Sequence, residues 1–275
     1  MRAIDVHVHP STRGVDPDAY RYFKRDPKDL PKTEDAMAAL FAKHEVKALL
    51  IGWHPSTVAE GPRVTNQYVI DVVKRYPEAF TGVLASIEMT DAIPNLRRAE
   101  ELAKDPQVKG FKFHPPDQAF YPNDRRYYRL WEVLQGSQKP VMFHTGFTVL
   151  GAAEEGGKGI SLDFGRPIHL DTLAKDFPAL KIIAAHPGWP WQEELIGIAL
   201  HKSNIYVDTA GYLAEDLPDH FKRALRGRLQ DRALFGTDFP YIDLDKAVDS
   251  FEKMGFKESV KEKILLLNAR ALFRL

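Results

Sequence analysis

At 275 residues the chain is long enough to bury one large core, and its 38 basic and 38 acidic residues cancel to a formal net charge of zero. That balance gives no electrostatic case for nucleic acid or an acidic membrane surface as a partner. With no cysteine in the chain, disulfides, thiolate catalysis and Cys-ligated zinc are excluded.

The opening residues hold no apolar stretch of signal-peptide length, and no later segment is long enough to span a bilayer. A cytoplasmic location is the expectation. The unusual feature is ten histidines beside zero cysteines, and their positions carry the argument.

Short apolar runs alternate with amphipathic stretches from end to end. The first run is Ala3 to Val8, and Thr33 is placed to cap a helix carrying Met37, Leu40 and Phe41. Val46 to Trp53 leads into a helix whose face is Tyr68, Val69, Val72 and Val73, stopped at Tyr76-Pro77. Phe80 to Ile87 follows, then a helix around Leu96 to Lys104. Val108 to Phe113 runs into His114, and Asp124 can cap a helix bearing Tyr128, Trp131 and Leu134. Pro140 to Phe143 ends in His144, and Leu180 to Ala185 in His186. Asn204 to Val207 reaches Asp208, and Ala233 to Phe235 reaches Asp238 before two terminal helical stretches.

Eight strand candidates, each followed by a helical or loop segment, predict parallel strands joined by right-handed crossovers. An open doubly wound sheet would alternate in the same way. Eight units in this length, with no linker or low-complexity tract, favour one (β/α)8 barrel over residues 1–275, distorted and with an extra C-terminal helix.

His7 and His9 are two apart at the end of the first strand, so a period of two points both to one face. Continued along the strand, that period puts Ala3 and Asp5 inside the barrel and Ile4, Val6 and Val8 against helices. Converging imidazoles are costly to bury unless hydrogen-bonded or coordinated, and a divalent cation is the simplest partner. A hydrogen-bonded core pair is the plain alternative. His114, His144, His186 and Asp238 each follow an apolar run and project to the same rim, which favours a shared site. His44, His169, His201 and His220 fall in helical or loop stretches and are read as solvated, while His54 is ambiguous.

These residues resemble the amidohydrolase superfamily, through the Asp5-x-His7-x-His9 start, residues 110–116 (GFKFHPP), 143–146 (FHTG), 185–189 (AHPGW) and 235–240 (FGTDFP). As a set they are similar to the amidohydrolase-related branch that includes aminocarboxymuconate-semialdehyde decarboxylase. The resemblance implies His7, His9, His144 and Asp238 as metal ligands. It implies His186 and Asp238 as catalytic acid/base groups, and His114 as a substrate contact. One divalent metal is expected, zinc first, with manganese or iron as alternatives. Lys112, inward-facing like His114, matches the strand where binuclear members carry a carboxylated lysine, but pairing with Asp5 or another interior carboxylate is the preferred reading.

The leading expectation is a hydrolase using metal-activated water on a small ester, lactone or amide. The chain lacks obvious room for the insertions of longer decarboxylases. Non-oxidative decarboxylation of a small unsaturated or aromatic acid is the alternative, and a non-catalytic metal- or ligand-binding barrel is the rival of another class. For substrate binding, Trp189 offers an apolar wall and Arg13 a carboxylate anchor, with Arg63 and Arg166 as weaker anchors. The glycine-rich stretch from Thr145 to Arg166 is read as a lid, and the aromatic run Phe120, Tyr121, Pro122 and Tyr127 as a candidate interface. The partner is a small-molecule substrate; a homodimer is admitted, though no residue argues for it.

Overall fold

A computed structural model describes residues 1–13, 17–53, 64–89 and 92–275. His54 and Arg63 lie outside them. The eight strands are β1 (Ala3–Val8), β2 (Val46–Ile51), β3 (Phe80–Ser86), β4 (Val108–Phe113), β5 (Val141–His144), β6 (Ile182–Ala185), β7 (Ile205–Asp208) and β8 (Ala233–Leu234). They lie in sequence order in one sheet, every neighbouring pair parallel. The sheet closes on itself where Val8 bridges Phe239 and the Val6 N–H donates to the Phe235 carbonyl at 3.0 Å. This is a (β/α)8 barrel.

Helices α1 (Pro17–Phe23), α2 (Glu34–Lys43), α3 (Asn66–Arg75), α4 (Ala92–Lys104), α5 (Pro115–Gln118), α6 (Tyr128–Ser137), α7 (Ile168–Asp176), α8 (Gln192–His201), α9 (Asp219–Arg226), α10 (Leu244–Glu252), α11 (Glu258–Glu262) and α12 (Asn268–Phe273) fill the intervals and the C-terminal end. Their boundaries follow local chemistry. The Thr33 side chain accepts the Ala36 N–H at 3.2 Å to start α2. Asp124 accepts the Arg126 N–H at 2.9 Å, capping the tight turn that leads into α6. Helix α3 ends at Arg75, before the Tyr76-Pro77 step that no helix continues through easily.

Between α6 and the outer face of the sheet, Trp131 meets Phe113 edge-on at 5.2 Å and Phe143 at 5.4 Å. Phe120 is buried in the same cluster, and Tyr127 packs on it at 5.3 Å. Of the aromatic run read as an interface, Phe120 and Tyr127 therefore pack inward against α6 and the strands, while Tyr121 turns to Phe164 and His169.

The barrel lumen corrects the sequence reading of β1. Ile4 and Val6 pack with Leu49, Leu84, Met142, Ile183 and Leu234, drawn from strands all round the ring, whereas Ala3 and Val8 join the cluster that includes helix residues. Pairing with β2 shifts register between Asp5 and Val8, so a bulge interrupts the two-residue period. Ile4 and Val6 face inward below the bulge and His7 and His9 above it. Asp5 does not face the lumen site. Its carboxylate bridges to the segment after β8, accepting the N–H groups of His7 and Thr237 at 3.0 Å each and the Thr237 hydroxyl at 2.5 Å. From the far end, Ala269 and Phe273 of α12 join the inner cluster.

Candidate metal centre

Eight residues at or near strand ends converge at one mouth of the barrel. His7 lies within β1 and His9 one residue past it; Lys112 lies within β4, His144 ends β5, and Asp208 ends β7. His114, His186 and Asp238 sit just beyond β4, β6 and β8. The rings of His7 and His186 are 4.8 Å apart, those of His144 and His186 4.6 Å, and those of His7 and His9 5.6 Å.

The tautomers follow from the hydrogen bonds. His7 Nδ1–H donates to Asp208 Oδ2 at 2.9 Å, and His186 Nδ1–H to the Ala210 carbonyl at 3.0 Å, which leaves Nε2 of each ring as a lone-pair donor. His144 Nε2–H donates to the Phe147 carbonyl at 3.1 Å, leaving Nδ1 free to accept. Asp238 Oδ1 lies 3.5 Å from His7 Nε2 and 3.4 Å from His9 Nε2. Among the described residues, ligand atoms of His7, His186 and Asp238 lie within 4.8 Å of one another. Neutral imidazole lone pairs turned toward an ionised carboxylate, each ring held from behind, make a donor set that fits a divalent cation.

Burial lowers the proton affinity of the His7, His114, His144 and His186 rings. His7 is lowered by burial and then by Lys112, and His186 falls to about 4 through burial and His7. His114 and His144 drop well below the ordinary histidine value, chiefly through burial. For Asp238 burial works toward a higher value, but His7, His9 and His186 outweigh it and the carboxylate stays ionised. Asp208 is likewise held down by His7 against the effect of burial. Lys112 is brought down to about 8 by burial, opposed by the fields of Asp208 and Asp238.

Two ligand candidates stand on strained backbone. His186 has φ 68° and Asp238 φ 66°, a left-handed conformation that costs a non-glycine residue about 1–2 kcal/mol. Each is held there by a hydrogen bond: the His186 N–H donates to Asp208 Oδ1 at 2.7 Å, and the Asp238 N–H to the His7 carbonyl at 2.9 Å. Gly211 passes close beside them, since a Cβ there would lie 3.2 Å from His186 Nδ1.

His114 has both nitrogens engaged. Nδ1 accepts the Asp117 N–H at 3.1 Å, Nε2 faces Thr148 Oγ1 at 3.4 Å, and the ring stacks on His144 at 4.0 Å. Trp189 stands at the rim, 49 % exposed, against Phe147. Arg13 lays its guanidinium 4.8 Å over the Tyr68 ring. The structure thus gathers His7, His9, His144, His186 and Asp238, with His114 alongside, and leaves Trp189 and Arg13 at the periphery. Arg166 is taken up by Glu194 at 2.9 Å. Lys112 does not pair with Asp5; its Nζ lies 3.3 Å from His7 Nε2. The stretch expected as a lid is tied at its base, where the Gly146 N–H donates to the Gly165 carbonyl and the Phe147 N–H to that of Trp189, both at 2.7 Å.

Asp208 is the residue that sequence reasoning missed. It is fully buried and accepts three hydrogen bonds, from His7 Nδ1, the His186 N–H and, at 3.1 Å, the Ala210 N–H. Its signal was available, since it ends the seventh apolar run much as Asp238 follows the eighth.

The amidohydrolase family model (Amidohydro_2) matches residues 4–275. The chain belongs to the amidohydrolase family. This amidohydrolase is 24 % identical over 292 aligned positions to gamma-resorcylate decarboxylase of Polaromonas sp. (strain JS666), an alignment that takes in 88 % of this chain and 87 % of the relative. An uncharacterised TIM-barrel protein from Bordetella bronchiseptica superposes with a TM-score of 0.85 at 26 % identity, over 100 % of this chain and 99 % of that one. The fold is shared too with a dihydroxybenzoic acid decarboxylase of Polaromonas sp. JS666 carrying manganese and the inhibitor 2-nitroresorcinol, with a TM-score of 0.74 and 20 % identity over 99 % and 97 % of the two chains. Among the described residues, no helix of the amidohydrolase is long and apolar enough to cross a membrane.

Proposed function

We propose that this amidohydrolase is a metal-dependent, non-oxidative decarboxylase of a small hydroxylated aromatic or unsaturated carboxylic acid. The observation that carries the reading is the alignment with gamma-resorcylate decarboxylase over 88 % of this chain. Chain length had favoured a hydrolase, but that relative is matched over 87 % of its own length, so length gives no reason to set decarboxylation aside. The first ring of ligands suits either chemistry, and hydrolysis loses its one specific argument.

His7, His9, His144 and Asp238 would hold one divalent metal, which supplies positive charge to offset the anion that develops as the carbon–carbon bond breaks. Manganese is the first candidate because the manganese-bearing decarboxylase shares the fold; zinc and iron suit the same donors. Loss of carbon dioxide breaks one carbon–carbon bond and leaves the electron pair on carbon, so a proton must be delivered there. That proton comes from water, and His186 Nε2 and Asp238 are the acid/base groups that would take it up and pass it to the carbon. The Nδ1–H···O=C bond of His186 fixes its tautomer and leaves Nε2 as the nitrogen available for proton transfer. Of the nine described non-glycine residues with positive φ, His186 and Asp238 are the two that belong to this site, which supports a fixed acid/base geometry there.

Incubating manganese-loaded protein with 2,6-dihydroxybenzoate and other hydroxybenzoates, beside an ester, lactone and amide panel, tests the reading. Carbon dioxide and the ring product are expected in equal amounts, falling at least ~100-fold in Asp238→Asn. Hydrolysis products with no carbon dioxide would reverse the choice.

A further inference from the structure

We propose that Lys112 is the specificity residue that recognises an anionic group of the substrate. The proposal rests on the reading of this barrel mouth as the active site, and it names the substrate class more closely: a small acid bound as its anion. Lys112 is only 2 % exposed and, among the described residues, is the only lysine or arginine in the buried set. Together with Trp53, Ser86, His114, Asp117 and Gln118 it lines one narrow recess beside the metal centre.

A buried ammonium has three donors to satisfy. Among the described residues its hydrogen-bond contact is His7 Nε2 at 3.3 Å, and no carboxylate lies within 4.0 Å of Nζ. Asp208 and Asp238 act on it only through space, and Asp117 shares its recess. The His7 lone pair it faces is one of the donors that fit a metal. With that lone pair committed to a cation, the lysine keeps no acceptor of its own among the described residues. A buried cation in that position calls for an anion from outside. Trp53 and His114, which meet edge-on at 5.1 Å, bring two ring surfaces to the same recess.

The test compares benzoate with neutral benzamide by calorimetric titration into manganese-loaded wild type and Lys112→Met. Charge-assisted hydrogen bonds are strong enough that the variant is expected to lose about tenfold or more in benzoate affinity. Benzamide affinity is expected to change less than about twofold by the same reasoning. Metal content is expected to stay the same. Should Lys112→Met fail to fold, Lys112→Gln carries the same comparison with a polar, uncharged side chain. An unchanged acid-to-amide ratio, or a wild type with no preference for the acid, overturns the proposal. Binding is read without turnover, so absence of carbon dioxide release would sink the decarboxylase reading alone.

Discussion

Asp208→Asn is expected to fold and yet lose metal affinity by about 10–100-fold, with a larger loss of turnover. In the wild type, Oδ1 of Asp208 accepts the N–H groups of His186 and Ala210, and Oδ2 accepts His7 Nδ1–H. An asparagine keeps one oxygen for the two backbone donors but offers an N–H to His7. That ring must then accept at Nδ1 and carry its proton on Nε2, pointing a hydrogen where the metal needs a lone pair. A tautomer inverted by the same substitution behind a catalytic histidine costs about 10⁴ in rate in a well-studied hydrolase. Asp208→Ala acts differently, because it strands three buried donors and is expected to destabilise the fold by about 3–5 kcal/mol. Chelator competition with each variant reads the affinity, and a wild-type value in Asp208→Asn would show that Asp208 does not set the His7 tautomer.

The metal-free protein is expected to lose stability steeply as pH falls from about 6.5 toward 4. His7, His114, His144 and His186 all have depressed proton affinity in the folded state. Within that window the unfolded chain binds protons that the folded chain refuses, so unfolding takes up protons and acid favours it. His186, shifted to about 4, contributes up to about 3 kcal/mol by itself. Asp5 works in the opposite direction. Burial raises it to about 7, so it is protonated in the folded state where the unfolded chain is ionised, and its contribution grows as pH falls from about 7 to 4. Four histidines against one aspartate leave a net loss toward acid. Denaturant midpoints between pH 7.5 and 4.5 check the sign, and Asp5→Asn should steepen the decline by removing the offset. A stability that holds level or rises toward pH 4.5 would contradict the assignment of neutral buried rings.

The barrel and the set of converging residues were legible in the sequence because a parallel barrel delivers strand ends to one rim. An apolar run followed at once by histidine or aspartate is therefore a positional statement, and His114, His144, His186 and Asp238 obey it. What failed was extrapolation along β1. The bulge between Asp5 and Val8 breaks the period of two, so Ile4 and Val6 turned inward while Asp5 became a clamp to Thr237. Asp208 was passed over because a carboxylate that holds ligands from behind has the same sequence context as one that binds metal. Arg13 and Trp189 followed strands too, but loop residues can turn to their own neighbours, Tyr68 and Phe147. The choice of reaction lay beyond the sequence's own residues, since the same ligands serve hydrolysis and decarboxylation.

The central claim is that distant strand ends share one divalent cation at His7 and Asp238. Anomalous diffraction from crystals grown with manganese tests it most directly. The account predicts one strong peak per chain at the barrel mouth, with ligands drawn from His7, His9, His144 and Asp238. No peak at the barrel mouth, or one that lacks both His7 and Asp238 as ligands, would contradict it.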